Sequence, residues 1–291
     1  MHTVATHDGG FHSDDVFAVA AFQLLLGVKE VRVIRVDRNN PNIEADYVVD
    51  VGGIYDHAHK RYDHHQNGAP VRENGIPYAG FGLVWRHYGA LICKSEVVAQ
   101  KLDQMLVQPI DAPDNGMILS SPVRADVRPV ELYQIINSFA PAWGSEDSVD
   151  EAFLEAVTWA RSFLLRMIQN AHASVAMENL VREVYEASEE KQILIFETPV
   201  PAEALIAYPE VEVVVTPRES GDQTNWRATV VRQSYVSFTP RVVFPSAWAG
   251  LRDEALVDAS GFSDAVFCHK AQFLFVAKSK ESAIAAARLA T

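Results

Sequence analysis

Twice within the first 53 residues, a short apolar, β-leaning run carries a histidine or aspartate at its end and is closed by two glycines. Thr3 to His7 is broken by Asp8-Gly9-Gly10, and Tyr47 to Val51, which contains Asp50, is ended by Gly52-Gly53. Between them Val16, Phe17, Ala20, Ala21, Leu24 and Leu25 recur at helical spacing. Ser13 is the expected N-cap, with Asp14 and Asp15 in the first turn, where the helix dipole favours carboxylates. Val31 to Val36 reads as a further strand. Strands alternating with helices predict a parallel sheet covered by helices. Ligands gather at the carboxyl ends of such strands, where His7 and Asp50 fall.

Residues 80 to 107 carry two helical stripes, Leu83, Val84, Tyr88 and Leu91, then Val97, Val98, Leu102 and Leu106. Gln108 to Gly116, rich in Pro, Asp, Asn and Gly, is expected to break the pattern as a turn. A long helix is predicted over 149–187, and a linker near Glu189 to Gln192. Beyond it come β-like stretches at Ile193 to Phe196, Val211 to Thr216 and Trp226 to Arg232, then helix and strand signals to the end. The reading is an α/β protein. Its N-terminal parallel-sheet domain and helical connector cover 1–190, and a smaller α/β domain covers 191–291.

With 291 residues, 48% hydrophobic and 22% charged, the chain has the makeup of a globular protein with a substantial core. No segment approaches the roughly 20 apolar residues of a membrane span. The stretch Val16 to Leu26 is interrupted by Gln23 and preceded by acidic rather than basic residues, unlike a signal peptide. A cytoplasmic location without membrane attachment is expected. Cys93 and Cys268 stand far apart, so neither a disulfide framework nor a zinc–thiolate site is expected. A formal charge of −13 argues against a surface that coats nucleic acid, while leaving room for a small cationic cleft.

Metal-capable side chains concentrate in four segments. These are His7 to Asp15, Val48 to Gly52 around Asp50, Tyr62-Asp63-His64-His65-Gln66, and Pro109 to Gly116 with Asp111 and Asp114. Taken singly, each has an ordinary explanation as helix-terminal charge, turn former or solvated loop. Four in one half of the chain point to a metal site. Imidazole with carboxylate and no thiolate suits manganese, zinc, iron or cobalt, and suits magnesium less. Two cations roughly 3.5–4 Å apart need a carboxylate to bridge them, and such a pair makes water acidic enough to attack a phosphoryl group.

These residues give the chain a recognisable cast. Asp63-His64-His65 resembles the motif that names the DHH phosphoesterase superfamily. More closely, the chain resembles the Myg (melanocyte proliferating gene) family, through His-x-x-x-Phe-His-x-Asp at His7 to Asp14. The likeness continues through Tyr47-Val-Val-Asp-Val-Gly-Gly, Arg61-Tyr-Asp-His-His-Gln, Asp111-Ala-x-Asp-Asn-Gly and Trp248-Ala-Gly-Leu-Arg-Asp-Glu-Ala-Leu. The resemblance implies two divalent cations, manganese foremost, with zinc, cobalt or iron as alternatives. His7, His12 and Asp50 would hold one. Asp14, Asp50, His64 and Asp111 would hold the other, with Asp50 as the bridge. His65 would face the scissile phosphate, Asp63 would orient a histidine, and Asp114 and Asn115 would shape the turn presenting Asp111. The activity implied is a 3′–5′ exonuclease on single-stranded RNA or short oligonucleotides.

Near the end the likeness weakens. Where relatives read approximately Val-His-Ala-Ser-Gly-Phe-Ile-Gly-Gly, this chain has Cys268-His269-Lys270-Ala271-Gln272-Phe273-Leu274-Phe275-Val276, without the glycines that let backbone approach a phosphate. His269, Lys270 and Arg241 are the substrate-binding candidates, with Arg252 as a further cation. Trp226, Trp248 and Phe262 read as core rather than base-stacking residues. Phosphate loops of the G-x-x-x-x-G-K type and nucleophile elbows are absent from the sequence. A small phosphorylated substrate or pyrophosphate on the same site is the alternative activity, and a metal-stabilised binding protein the alternative class. Sequence leaves the oligomeric state open.

Overall fold

A computed structural model describes the chain except residues 41, 125, 221, 222 and 291, with the side chains of Ser220 and Gln223 also left aside. It divides into two compact units, Met1–Ala173 and Ser174–Thr291.

The first unit opens with β1 (His2–His7), α1 (Ser13–Leu26), β2 (Val31–Val36), β3 (Tyr47–Val49), β4 (Tyr55–Asp56) and β5 (Arg61–Tyr62). The sheet order is β2-β1-β3-β5-β4, parallel throughout except for β4, which pairs antiparallel with β5. Because the chain moves from β1 to β2 on one side and then to β3 on the other, β1 marks the point where strand order reverses. A crevice opens beyond the carboxyl ends of strands at such a switch point. The middle strands are buried on both faces, which is why they read as apolar runs. Ala5, Val48 and Val51 form one small core with Ile34, Val36, Ile43 and Ala45. Val16 to Phe22 of α1 are wholly buried, and Phe17 meets Phe81 with ring centroids 5.6 Å apart.

Phe81 belongs to α2 (Gly80–Cys93), followed by α3 (Glu96–Leu102), a π-helical turn at Asp103–Val107 and α4 (Gln108–Asp114). The expected turn at 108–116 is therefore mostly helix. Pro109 lies in the first turn of α4, where a missing N–H costs nothing, and burial of Ile110, Asp111 and Ala112 outweighs the turn-forming composition. The N-cap of α1 is His12 rather than Ser13, and the His12 N–H donates to Asp15 Oδ1 at 3.2 Å. After α5 (Leu132–Asn137), α6 (Val149–Ala187) runs over the span its periodicity predicted.

The division between units falls inside α6, before the linker expected from sequence. Past Ala173 the helix turns its apolar side, Met177, Leu180, Val181 and Val184, into the core of the second unit. That unit comprises β6 (Ile193–Ile195), β7 (Val213–Ser220), β8 (Gln223–Val230), β9 (Arg232–Ser234), β10 (Ser237–Pro240), α7 (Asp253–Ser260), β11 (Ala265–Cys268), β12 (Leu274–Ala277) and α8 (Lys280–Ala287). Its sheet order is β11-β12-β8-β7-β6, antiparallel apart from the β6–β7 pair, with β9 and β10 as a separate ribbon. Trp248 and Phe262 pack with Phe244 and Phe275 in its core, with Trp226 partly buried against it, so these aromatics are structural.

Two glycines fix how closely α2 approaches the end of the first sheet. A Cβ on Gly80 would lie 3.0 Å from Asp14 Oδ2 and 3.1 Å from Asp50 Cβ. On Gly82 it would lie 1.8 Å from Asp111 Oδ2. Alanine in an exposed helix interior is about 1 kcal/mol better than glycine, yet Gly82→Ala is expected to destabilise the protein by about 1–3 kcal/mol through overpacking. Gly10→Ala, where a Cβ meets nothing within 4 Å, should leave stability nearly unchanged. The shift in urea midpoint for each variant checks both expectations.

Candidate metal centre

Three neighbouring strands, β1, β3 and β5, end side by side, and each delivers candidate ligands from its carboxyl end. His7 is the last residue of β1 and fully buried. Asp50 follows β3 and holds φ at 53°, a left-handed conformation that aspartate tolerates better than most residues. Gly52 and Gly53 after it also have positive φ, so the chain folds back sharply beyond the carboxylate. Asp63-His64-His65 follow β5. The two oxygens of Asp50 face different histidines: Oδ2 lies 3.2 Å from His7 Nε2, and Oδ1 lies 3.3 Å from His64 Nε2.

Helices supply the rest. The loop after β1 brings His12 to the mouth of α1, its ring centroid 5.1 Å from that of His7. Arg35 holds this loop: its guanidinium lies against the rings of Phe11 and Phe153, donates to the Gly9 carbonyl and pairs with Asp150 at 3.2 Å. Asp14 and Asp15 are wholly buried in the first turn of α1. Asp14 Oδ2 accepts the Gly80 N–H at 3.0 Å, and Asp15 Oδ2 lies 3.2 Å from His7 Nε2. From α4, Asp114 reaches His64 Nε2 at 3.2 Å and His12 Nδ1 at 3.7 Å. Three overlapping groups result: His7, His12 and Asp50; His12, Asp14 and Asp114; and Asp50, Asp63, His64 and His65. Within each, one ligand atom per residue lies within 4.8 Å of the others.

Charge is poorly balanced here by protein alone. Burial, then repulsion from Asp50, Asp114 and Asp15, raises the Asp14 carboxyl well above its ordinary range, and burial with repulsion from Asp50 does the same for Asp15. Burial opposes a charge on His64, but the Asp114 and Asp50 carboxylates outweigh it and raise the imidazole to about 10. Asp14 Oδ1, Asp15 Oδ2, both oxygens of Asp50 and His64 Nε2 are buried without a hydrogen-bond partner. Buried polar atoms in native proteins are nearly always satisfied. Unsatisfied carboxylate oxygens and an imidazole nitrogen converging on one spot fit divalent cations, which would supply both the missing partners and the positive charge.

Asp63 and His65 form a linked pair. Asp63 Oδ1 lies 2.7 Å from His65 Nδ1 and also accepts the His65 N–H at 3.1 Å, so the carboxylate fixes the orientation of a half-exposed ring. Asp111 is placed differently from the expectation. Its Oδ2 takes Arg72 at 2.7 Å and its Oδ1 the Gly82 N–H at 3.0 Å. Both oxygens are thus engaged away from the histidines. Burial pushes this carboxyl up to about 7, against the opposing pull of Arg72. Asp114, expected as a turn former, faces the imidazoles instead, because the helical course of 108–114 gives the two aspartates distinct surroundings. Asp15 also joins the cluster beyond what sequence indicated. Its signal was the unbroken Asp14-Asp15 pair, which reads equally well as helix-terminal charge.

In the second unit Arg241 donates to the carbonyls of Tyr208, Val211 and Ile206 at 2.6, 2.5 and 2.8 Å. This spends the guanidinium on holding that loop, in place of the substrate contact expected. His269 accepts the Ala271 N–H at 3.0 Å within the β11–β12 turn, and Lys270 is exposed at its tip. Gln272 in this turn holds φ at 58°, so the backbone keeps a glycine-like conformation without the glycine.

The chain matches the family model MYG1_exonuc, described as Uncharacterised protein family (UPF0160), over residues 3–291. It belongs to this MYG1 family. It is 28% identical to the MYG1 protein C694.04c of Schizosaccharomyces pombe, over 99% of this chain and 96% of that protein. To the protein named MYG1 exonuclease of Homo sapiens it is 27% identical, over 98% of this chain and 84% of that one. Among solved structures, a pGpG-specific phosphodiesterase from Vibrio aligns over 96% of this chain and 93% of that one, at 12% identity and a TM-score of 0.36. A likeness that distant says nothing about site or substrate.

The direction of the shifts sets a pH dependence for the metal-free protein. Asp14, Asp15, His64 and His65 all have folded pKa values raised above their unfolded ones. Their contribution to stability is complete below the unfolded value and declines as pH rises towards the folded one. Metal-stripped protein is therefore expected to melt at a lower temperature at pH 8 than at pH 6.5. Added manganese should raise the melting temperature more at pH 8, because ligands must lose protons to bind it. Thermal unfolding with and without chelator at the two pH values checks this.

Proposed function

We propose that the chain is a divalent-metal-dependent phosphodiester hydrolase of the DHH superfamily, and that its two cations are bridged by Asp50. The observation that carries this reading is the pair of unsatisfied Asp50 oxygens, one directed at His7 and the other at His64, in a buried carboxylate-rich cluster. His7 and His12 fall on one side of Asp50. His64 faces the other oxygen with Asp114 beside it, Asp14 groups with Asp114 and His12, and Asp114 would take the place expected of Asp111. Cations held by these residues would lower the pKa of bound water and would offer positive charge to phosphoryl oxygens. Imidazoles among the ligands favour manganese, with zinc, cobalt or iron as substitutes.

The chain's own groups divide the remaining work. His65, half-exposed and steered by Asp63, is placed to meet a phosphodiester oxygen and to give up or take a proton at its ring nitrogen. Asp63 positions that ring. Lys270 and His269, at the tip of the β11–β12 turn, are the second unit's candidates for substrate contact. The proposed substrate is RNA or a short oligonucleotide attacked from its 3′ end; the exonuclease name of the human relative supports attack at a chain end. A small phosphorylated substrate is the second reading, favoured by the formal charge of −13 and the glycine-poor turn at 270–276. Comparison of a 3′-blocked with an unblocked oligonucleotide, and of both with pyrophosphate, separates the two.

Asp50→Ala is expected to lower turnover by about three orders of magnitude, some 4 kcal/mol of barrier. Asp114→Ala should lose bound metal. Asp111→Asn should keep its metal and instead lose about 2–4 kcal/mol of stability through Arg72. Elemental analysis, urea unfolding and manganese-supported hydrolysis of labelled RNA read out the three variants. Full activity in Asp50→Ala would contradict the proposal.

A further inference from the structure

One guanidinium lies at the edge of this centre without an assigned partner. Arg38 stands just beyond the carboxyl end of β2, next to β1 in the sheet, and is exposed. Its Nη2 lies 3.3 Å from both ring nitrogens of His7. A Cβ added to Gly9 would sit 3.5 Å from Arg38 Nε and Nη2, so the guanidinium lies in contact range of the His7 loop. Among the described residues Arg38 makes no ion pair, although Asp15 and Asp50 both stand against the same imidazole. The neighbouring Arg35 contrasts with it at every point: buried, held by two aromatic rings, and committed to Gly9 and Asp150.

A guanidinium in this position has one chemically natural ligand. Two imidazole nitrogens of a candidate metal ligand offer it no anionic fork, and a cation held by His7 would compete with Arg38 for the ring nitrogen. What arrives at the mouth of such a centre is a phosphate, and the planar fork of arginine matches phosphate oxygens with two parallel hydrogen bonds. Arg35 at this end of the sheet is committed to Gly9 and Asp150, His64 lies against Asp50 and Asp114, and the Asp14, Asp15, Asp50, Asp63 and Asp114 carboxylates repel an anion. We propose that Arg38 is the side chain that binds the substrate's phosphate at this site, gripping non-bridging oxygens on the His7–His12 side. The assignment rests on the phosphodiester-hydrolase reading for its substrate, but phosphate binding can be measured without turnover.

The test uses the full chain loaded with manganese, in wild type, Arg38→Ala and Arg38→Lys. Calorimetric titration with inorganic phosphate is followed by hydrolysis of a short labelled RNA, with metal content checked for each variant. Arg38→Ala should keep its metal, weaken phosphate about tenfold to a hundredfold, and raise KM for the RNA. Arg38→Lys should recover part of the affinity, since it restores the charge without the fork. Equal phosphate affinity in wild type and Arg38→Ala would overturn the assignment while leaving the hydrolase reading intact. So would loss of metal from Arg38→Ala, which would make the arginine a support of the ligand set. Failure of wild type both to bind phosphate and to cleave any phosphodiester would overturn the assignment and the hydrolase reading together.

Discussion

Several carboxylates are gathered in a space that water does not reach, and the architecture of the first unit is organised around keeping them there. Asp14, Asp15 and Asp50 are all but inaccessible, and Asp114 stands beside them. Like charges at such range in a low-dielectric interior repel strongly. Neither protonation nor a stray arginine satisfies all of their oxygens. The pair of divalent cations proposed for this site would do so at once, and stability and chemistry there would then depend on the same ions.

The surrounding structure serves that arrangement. Parallel strands place the three ends that carry His7, Asp50 and Asp63-His64-His65 in a row, beside the reversal of strand order at β1. The N-terminus of α2 comes close enough for the Gly80 and Gly82 N–H groups to donate to Asp14 and Asp111, which its glycines permit. Arg72 neutralises Asp111 and keeps it apart from the imidazoles. Arg35 ties the His7–His12 loop to β2 and the start of α6. Gly80 and Arg35 hold Asp14 and the His7–His12 loop directly, while Gly82 and Arg72 fix the buried Asp111 beside them.

Much of this was legible in the sequence, for identifiable reasons. β1 and β3 are short apolar runs closed by glycines, β2 is a valine- and isoleucine-rich stretch, and α6 keeps its period for about eleven turns' worth of chain without proline or glycine. His7, His12, Asp14, Asp50 and His64 lie in motifs whose spacing resembles a known family, and the fold brings all of them together. Asp111 and Asp114 show where linear reading stops. Pro, Asp, Asn and Gly at 108–116 speak for a turn, but burial of Ile110 and Ala112 makes a helix, and the helix decides which aspartate faces the histidines. Arg241 is similar: a lone basic residue near a substrate domain suggests a phosphate, and only three carbonyls in space reveal a structural clamp. The closeness of Gly82 to Asp111 also needs three dimensions, since most of α2, all of α3 and the π-helical turn lie between them.

The central claim is that Asp50 bridges two cations, and manganese uptake tests it most directly. Metal-free protein would be titrated with manganese by calorimetry, and the loaded sample examined by electron paramagnetic resonance. Two equivalents per chain, with the signal of spin-coupled manganese, is the result predicted. A single equivalent with an isolated-ion spectrum, or no uptake, would contradict the bridged centre and leave the buried carboxylates without the partners inferred for them.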